Sequence, residues 1–108
     1  MLEKLLRLGT AESATYVDQL PLVTVASRCD CGCPTIDLAV SGRSVSPGSP
    51  TTILAEGEGV SPEGIRFEII LHGREGRISA LEVYSLAGEV PFTLPGVDEI
   101  EVYSRRDD

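Results

Sequence analysis

The run Ile65-Arg66-Phe67-Glu68-Ile69-Ile70-Leu71-His72 restricts the fold of this chain more than any other stretch. Ile65, Phe67, Ile69 and Leu71 alternate with Arg66, Glu68, Ile70 and His72, the period of a strand with one face in a core. Gly73-Arg74-Glu75-Gly76 has the composition of a turn, and Arg77 to Leu86 reads as the returning strand. An isolated hairpin is marginal in water, so the rest of the chain must cover its apolar face.

Shorter segments of the same period surround it. Val23, Val25 and Cys29 alternate with Thr24, Ala26 and Arg28, and Ile36, Leu38 and Val40 alternate with Asp37 and Ala39. Asp30 to Pro34 is short enough to join these two as a hairpin loop. Thr51 to Val60 reads as a further strand, with Gly57 and Gly59 marking an irregularity in it. Val90 to Pro95 is extended but carries Pro91 and Pro95, which restricts it to an edge or a covering loop. Ile100 and Val102 suit a last short strand. At the start, Leu2, Leu5 and Leu6 share one side of a short helix that Gly9 ends. Thr10 caps a second helix, Ala11 to Leu20, which Pro21 stops. The expectation is an α+β domain, with two short N-terminal helices packed on a mostly antiparallel sheet of four to six strands.

With 108 residues, 42% of them hydrophobic and 24% charged, the chain suits one globular domain over 1–108. Residues 41–50 form a Ser/Pro/Gly-rich flexible loop and 105–108 a frayed tail. Three Tyr, two Phe and no Trp leave the core to Ile, Leu and Val. The formal net charge of -8 repels phosphate backbones, and Arg66, Arg74 and Arg77 are interleaved with Glu63, Glu68 and Glu75. Nucleic acid is therefore not an expected partner, whereas a basic protein surface or a cation is favoured. Met1 to Leu8 lacks the features of a signal peptide, and no long apolar run suits a membrane helix. The expected setting is the reducing cytoplasm, without a membrane.

All three cysteines lie in Cys29-Asp30-Cys31-Gly32-Cys33-Pro34. An odd number argues against a secreted disulfide framework. Cys29, Cys31 and Cys33 are candidate ligands for zinc or copper, with His72 or Asp30 as a fourth zinc ligand. The Cys-x-Cys-x-Cys spacing is nevertheless unusual for structural zinc, and free cysteines commonly pack as small hydrophobes. A redox pair of Cys29 and Cys33 is the weaker thiol reading, because no thioredoxin-type Cys-x-x-Cys is present.

His72 is the only histidine, so any nucleophile–base mechanism must use it. No Gly-x-Ser-x-Gly elbow accompanies it, and an exposed histidine at a hairpin end is the simpler reading. Glu82 has two registers. A turn centred on Arg74-Glu75 puts it opposite Phe67 on the apolar face, a buried acid beside Arg28 or Arg66. A bulge near Gly76 turns Leu81 and Val83 inward and Glu82 outward. Gly57-Glu58-Gly59 lacks the Gly-Lys-Ser/Thr of a phosphate loop, and Asp98-Glu99-Ile100-Glu101 lacks the spacing of a calcium loop.

Gln19 together with Arg28-Cys29-Asp30-Cys31-Gly32-Cys33-Pro34-Thr35-Ile36-Asp37-Leu38 resembles the first half of a group of small bacterial proteins with no assigned function. Leu71-His72 with Gly76-Arg77-Ile78-Ser79-Ala80-Leu81-Glu82-Val83-Tyr84 resembles the hallmark strand of the same group. The resemblance implies a bacterial source and a compact standalone domain, and it implies no activity. The functional expectation is a small non-enzymatic protein-interaction domain that binds another protein or a second copy of itself. The alternative is a metal- or thiol-dependent protein built on the cysteine turn.

Overall fold

A computed structural model of the chain describes residues 2–9, 13–28, 35–42, 50–87 and 92–103. Helix α1 is Leu2–Leu8, followed by a 3-10 helix, Ser13–Leu22. Six strands follow: β1 (Val23–Arg28), β2 (Ile36–Val40), β3 (Thr52–Val60), β4 (Arg66–Arg74), β5 (Arg77–Ser85) and β6 (Glu101–Tyr103). They form one open antiparallel sheet in the order β1-β2-β5-β4-β3-β6. The α+β class and the antiparallel sheet agree with the expectation. The second helix differs from it, being a 3-10 segment that runs through Pro21 rather than an α-helix that Pro21 stops.

Period-2 alternation carries one face of the sheet into the core. Phe67, Ile69 and Leu71 of β4, Leu81 and Val83 of β5, and Leu38 and Val40 of β2 are buried together with Leu5 and Leu6 of α1. Helix α1 lies against β3 and β6, while Tyr16, Val17 and Leu20 of the 3-10 helix pack against the same cluster. Fully burying a Leu, Ile or Phe side chain stabilises by roughly 1.5–3 kcal/mol, so these short helices are held by their apolar faces. Phe92, in the extended segment after β5, stacks on Phe67 with ring centroids 5.4 Å apart. The Glu63 carboxylate accepts the Thr93 N–H and the Thr93 hydroxyl, which pins that segment to the loop between β3 and β4.

The hairpin of β4 and β5 corrects the expected turn. Arg74 pairs with Arg77, so the turn is Glu75-Gly76, with φ of 53° and 74°. Positive φ at both central residues is the geometry whose twist matches a hairpin. The pairing then shifts, from Gly73 opposite Ile78 to His72 opposite Ala80, which leaves Ser79 as a bulged residue. The Ser79 hydroxyl donates to the His72 carbonyl at 3.2 Å. Gln19 fixes this end from the 3-10 helix: its Oε1 accepts the Ile78 N–H at 2.9 Å and its Nε2 donates to the Gly76 carbonyl at 2.8 Å. The bulge is the reason that Ile78, Leu81 and Val83 all face the core.

Gly57 and Gly59 mark no irregularity. The register shift of β3 lies between Ile53 and Ala55 instead. A Cβ on Gly57 would stand 2.6 Å from the Glu101 carbonyl oxygen, so glycine lets β6 close onto β3. At the chain's two ends, Lys4 Nζ donates to the Ile100 carbonyl at 2.7 Å, joining α1 to the residue before β6.

Candidate functional site

The sheet face opposite the helices carries the chemistry, and its rows follow from the pairing register. One row runs Glu101, Glu58, Glu68, Tyr84 across β6, β3, β4 and β5. The next runs Tyr103, Glu56, Ile70, Glu82 across the same strands. A third joins His72 to Ala80, Asp37 and Ser27, toward β1. Ile53 and Val60 are both exposed large hydrophobics near the ends of β3.

The first row places three carboxylates side by side on neighbouring strands. Like charges directly opposite one another in a sheet are destabilising, so this arrangement does not serve the fold. Tyr84 and Tyr103 moderate it. The Tyr84 hydroxyl donates to Glu68 Oε2. That bond, with desolvation and the charges of Glu68, Glu82 and Glu56, pushes the phenol up to about 12. Partial burial, a hydrogen bond to Glu58 and the neighbouring carboxylates raise the Tyr103 phenol as well. At the end of the row, Glu58, Gly59, Val60, Arg66, Glu99 and Glu101 line an open groove.

A second shallow depression holds His72, Glu82, Asp37, Arg74 and Thr35. Glu82 lies opposite Ile70 and points outward, with its Oε1 2.9 Å from His72 Nε2. Its side chain is 47% exposed against 19% for His72, so the buried acid of the inward register is absent. Nor does it sit with Arg28 or Arg66, because His72 is its partner. His72 is less exposed than a hairpin-end histidine would be, and its Nδ1 is buried without a hydrogen-bond partner. The Ser79 hydroxyl, which also lines this depression, donates to the His72 backbone carbonyl rather than to the ring. No activated nucleophile results from this geometry.

Thr35 joins the start of β2 to β5: its hydroxyl donates to the Val83 carbonyl and accepts the Val83 N–H. Cys29, Asp30, Cys31 and Cys33 lie outside the described residues. Among the described residues no group of three or more His, Cys, Asp or Glu side chains is placed to hold a metal ion, and no helix is long and apolar enough to cross a membrane.

Sequence reasoning singled out His72 and Glu82 and passed over Glu58, Glu68, Glu101, Tyr84 and Tyr103. The signal was present as acidic residues at alternate strand positions. What brings them together is the pairing of β6 with β3, which no local pattern announces. Set against known protein families, curated proteins and solved structures, the chain matches none.

Proposed function

We propose that the protein is a non-enzymatic binding module whose open sheet face receives a basic segment of another protein in the cytoplasm. The observation that carries this reading is the row Glu101, Glu58, Glu68, kept in register across neighbouring strands despite its repulsion. Residues that cost the fold stability and face water are accounted for by what they bind. Arginine suits the site best. Its guanidinium pairs with carboxylates in a two-pronged geometry and stacks on aromatic rings, and Tyr84 and Tyr103 flank the acids. Ile70, Ile53 and Val60 add apolar contact for the neighbouring side chains of such a segment.

The test is fluorescence anisotropy of the full chain with a labelled peptide of alternating Arg and apolar residues. Binding is expected to weaken steeply with added salt. The Glu58→Gln/Glu68→Gln/Glu101→Gln variant is expected to lose about tenfold or more in affinity while melting no earlier than the parent. Equal affinity in the variant, or no binding by the parent at low ionic strength, overturns the proposal.

A further inference from the structure

The face that attracts a basic partner repels a second copy of this chain, but one edge of the sheet has the opposite character. Strand β1, Val23-Thr24-Val25-Ala26-Ser27-Arg28, contains no carboxylate in a chain with 17 Asp and Glu residues. It pairs with β2 on one side, and among the described residues no strand lies beyond it. Asp37, the acid facing it from β2, accepts a hydrogen bond from the Ser27 hydroxyl at 2.7 Å. Val25 belongs to the core side of the sheet, since it pairs with the buried Leu38, yet it is 47% exposed. Leu22, just before the strand, is 50% exposed. The core layer thus ends before the sheet does, leaving apolar side chains and, among the described residues, a row of backbone groups without a neighbouring strand along one edge.

We infer that β1 pairs antiparallel with β1 of a second copy, about a two-fold axis at Thr24. The register shift between Val25 and Ser27 interrupts the regular part of β1 after Val25, which confines the pairing to Val23, Thr24 and Val25. Centred on Thr24, the axis sets Thr24 against its own copy, a favourable cross-strand pair. Val25 then meets the other Val23 and loses its exposure. The two Arg28 side chains lie at opposite ends, roughly 27 Å apart at a rise of about 3.4 Å per residue, beyond the screening length of physiological salt. A basic segment gains nothing from this edge, which has no carboxylate and carries the cation Arg28. A copy does, because here two chains of net charge -8 approach without facing carboxylates. So short an edge buries far less than the roughly 1,200 Å² of a stable interface, which makes the dimer weak and concentration-dependent.

Sedimentation equilibrium of the full chain across concentration tests this. The expected mass rises with concentration from 11.5 kDa toward twice that value, and Val25→Lys abolishes the rise while Ile53→Lys, on the open face, preserves it. In a background with Cys29, Cys31 and Cys33 changed to Ser, Thr24→Cys is expected to oxidise to a covalent dimer faster than Ala26→Cys, because residues on the axis face each other within disulfide reach. A mass of 11.5 kDa at every concentration overturns the inference. So does a dimer that persists in Val25→Lys, or one that crosslinks equally through positions 24 and 26.

Discussion

Glu82 stands diagonally across the open face from His72, and the bond between them, 2.9 Å from Oε1 to Nε2, is the one hydrogen bond of the His72 ring among the described residues. Half-exposed and confined to a single oxygen, it belongs with the weak surface pairs, worth about 0–1 kcal/mol. Glu82→Gln is therefore expected to change unfolding free energy by less than about 1 kcal/mol. His72→Leu removes a buried ring nitrogen that has no partner, and is expected to be neutral or stabilising by up to about 1 kcal/mol. Urea melts with an unchanged slope check both, and a loss above about 2 kcal/mol in either contradicts a merely local pairing.

Gly57 sets the position of β6. With an added Cβ 2.6 Å from the Glu101 carbonyl oxygen, Gly57→Ala forces β3 and β6 apart, at an expected cost of about 1–3 kcal/mol. Because β6 carries Glu101 and Tyr103, the same variant is expected to bind the basic peptide less tightly and to lower the Tyr103 titration toward that of an ordinary phenol. Normal stability and normal peptide affinity together rule out this role for the glycine.

Tyr84 gives a pH dependence of definite sign. Its phenol is raised from 10.0 to about 12, chiefly by the bond to Glu68. The protonated form is favoured by folding, so its contribution is complete below pH 10 and disappears as pH climbs through about 12. Ultraviolet titration of phenolate absorbance is expected to show a late step that Tyr84→Phe removes. Tyr84→Phe is also expected to lose less stability than the parent between those two pH values. An unchanged late step assigns it to another tyrosine.

The hairpin of β1 and β2 is closed by its own ladder from Val23 opposite Val40 to Arg28 opposite Ile36, and by the Thr35 bonds to Val83. Changing Cys29, Cys31 and Cys33 together to Ser is accordingly expected to leave folding and peptide affinity unchanged. Native mass spectrometry of the parent, before and after chelator, is expected to give the same polypeptide mass. A mass excess of one zinc or copper ion, lost together with folding in the Ser variant, moves the centre of function to the cysteine turn.

The strands were largely legible because period-2 alternation is a local property: β2, β3, β4 and β6 lie close to where Ile36–Val40, Thr51–Val60, Ile65–His72 and Ile100–Val102 imply. The register of β5 was legible only as a choice. Ser79 bulges because Gln19, far away in sequence, takes the Ile78 N–H, and no pattern within the hairpin contains that fact. Gly57 looked like a defect for a similar reason, since the group that requires it is a carbonyl on β6. The acidic row shares this origin. Glu58, Glu68 and Glu101 are ordinary solvated positions on their own strands and fall into one row only when β6 docks on β3.

The bond from Lys4 to the Ile100 carbonyl spans almost the entire chain, and that has a kinetic meaning. Closing so long a loop is entropically slow to be rewarded, so the corner made by α1 and β6 forms after the local hairpins and opens before them. Amide hydrogens of Glu101–Tyr103 should exchange with solvent at lower free energy than those of β4 and β5. Glu101 then parts from Glu58 and Glu68 whenever that corner opens, while the hairpins stay folded, which ties the integrity of the three-carboxylate row to fluctuations within the native basin.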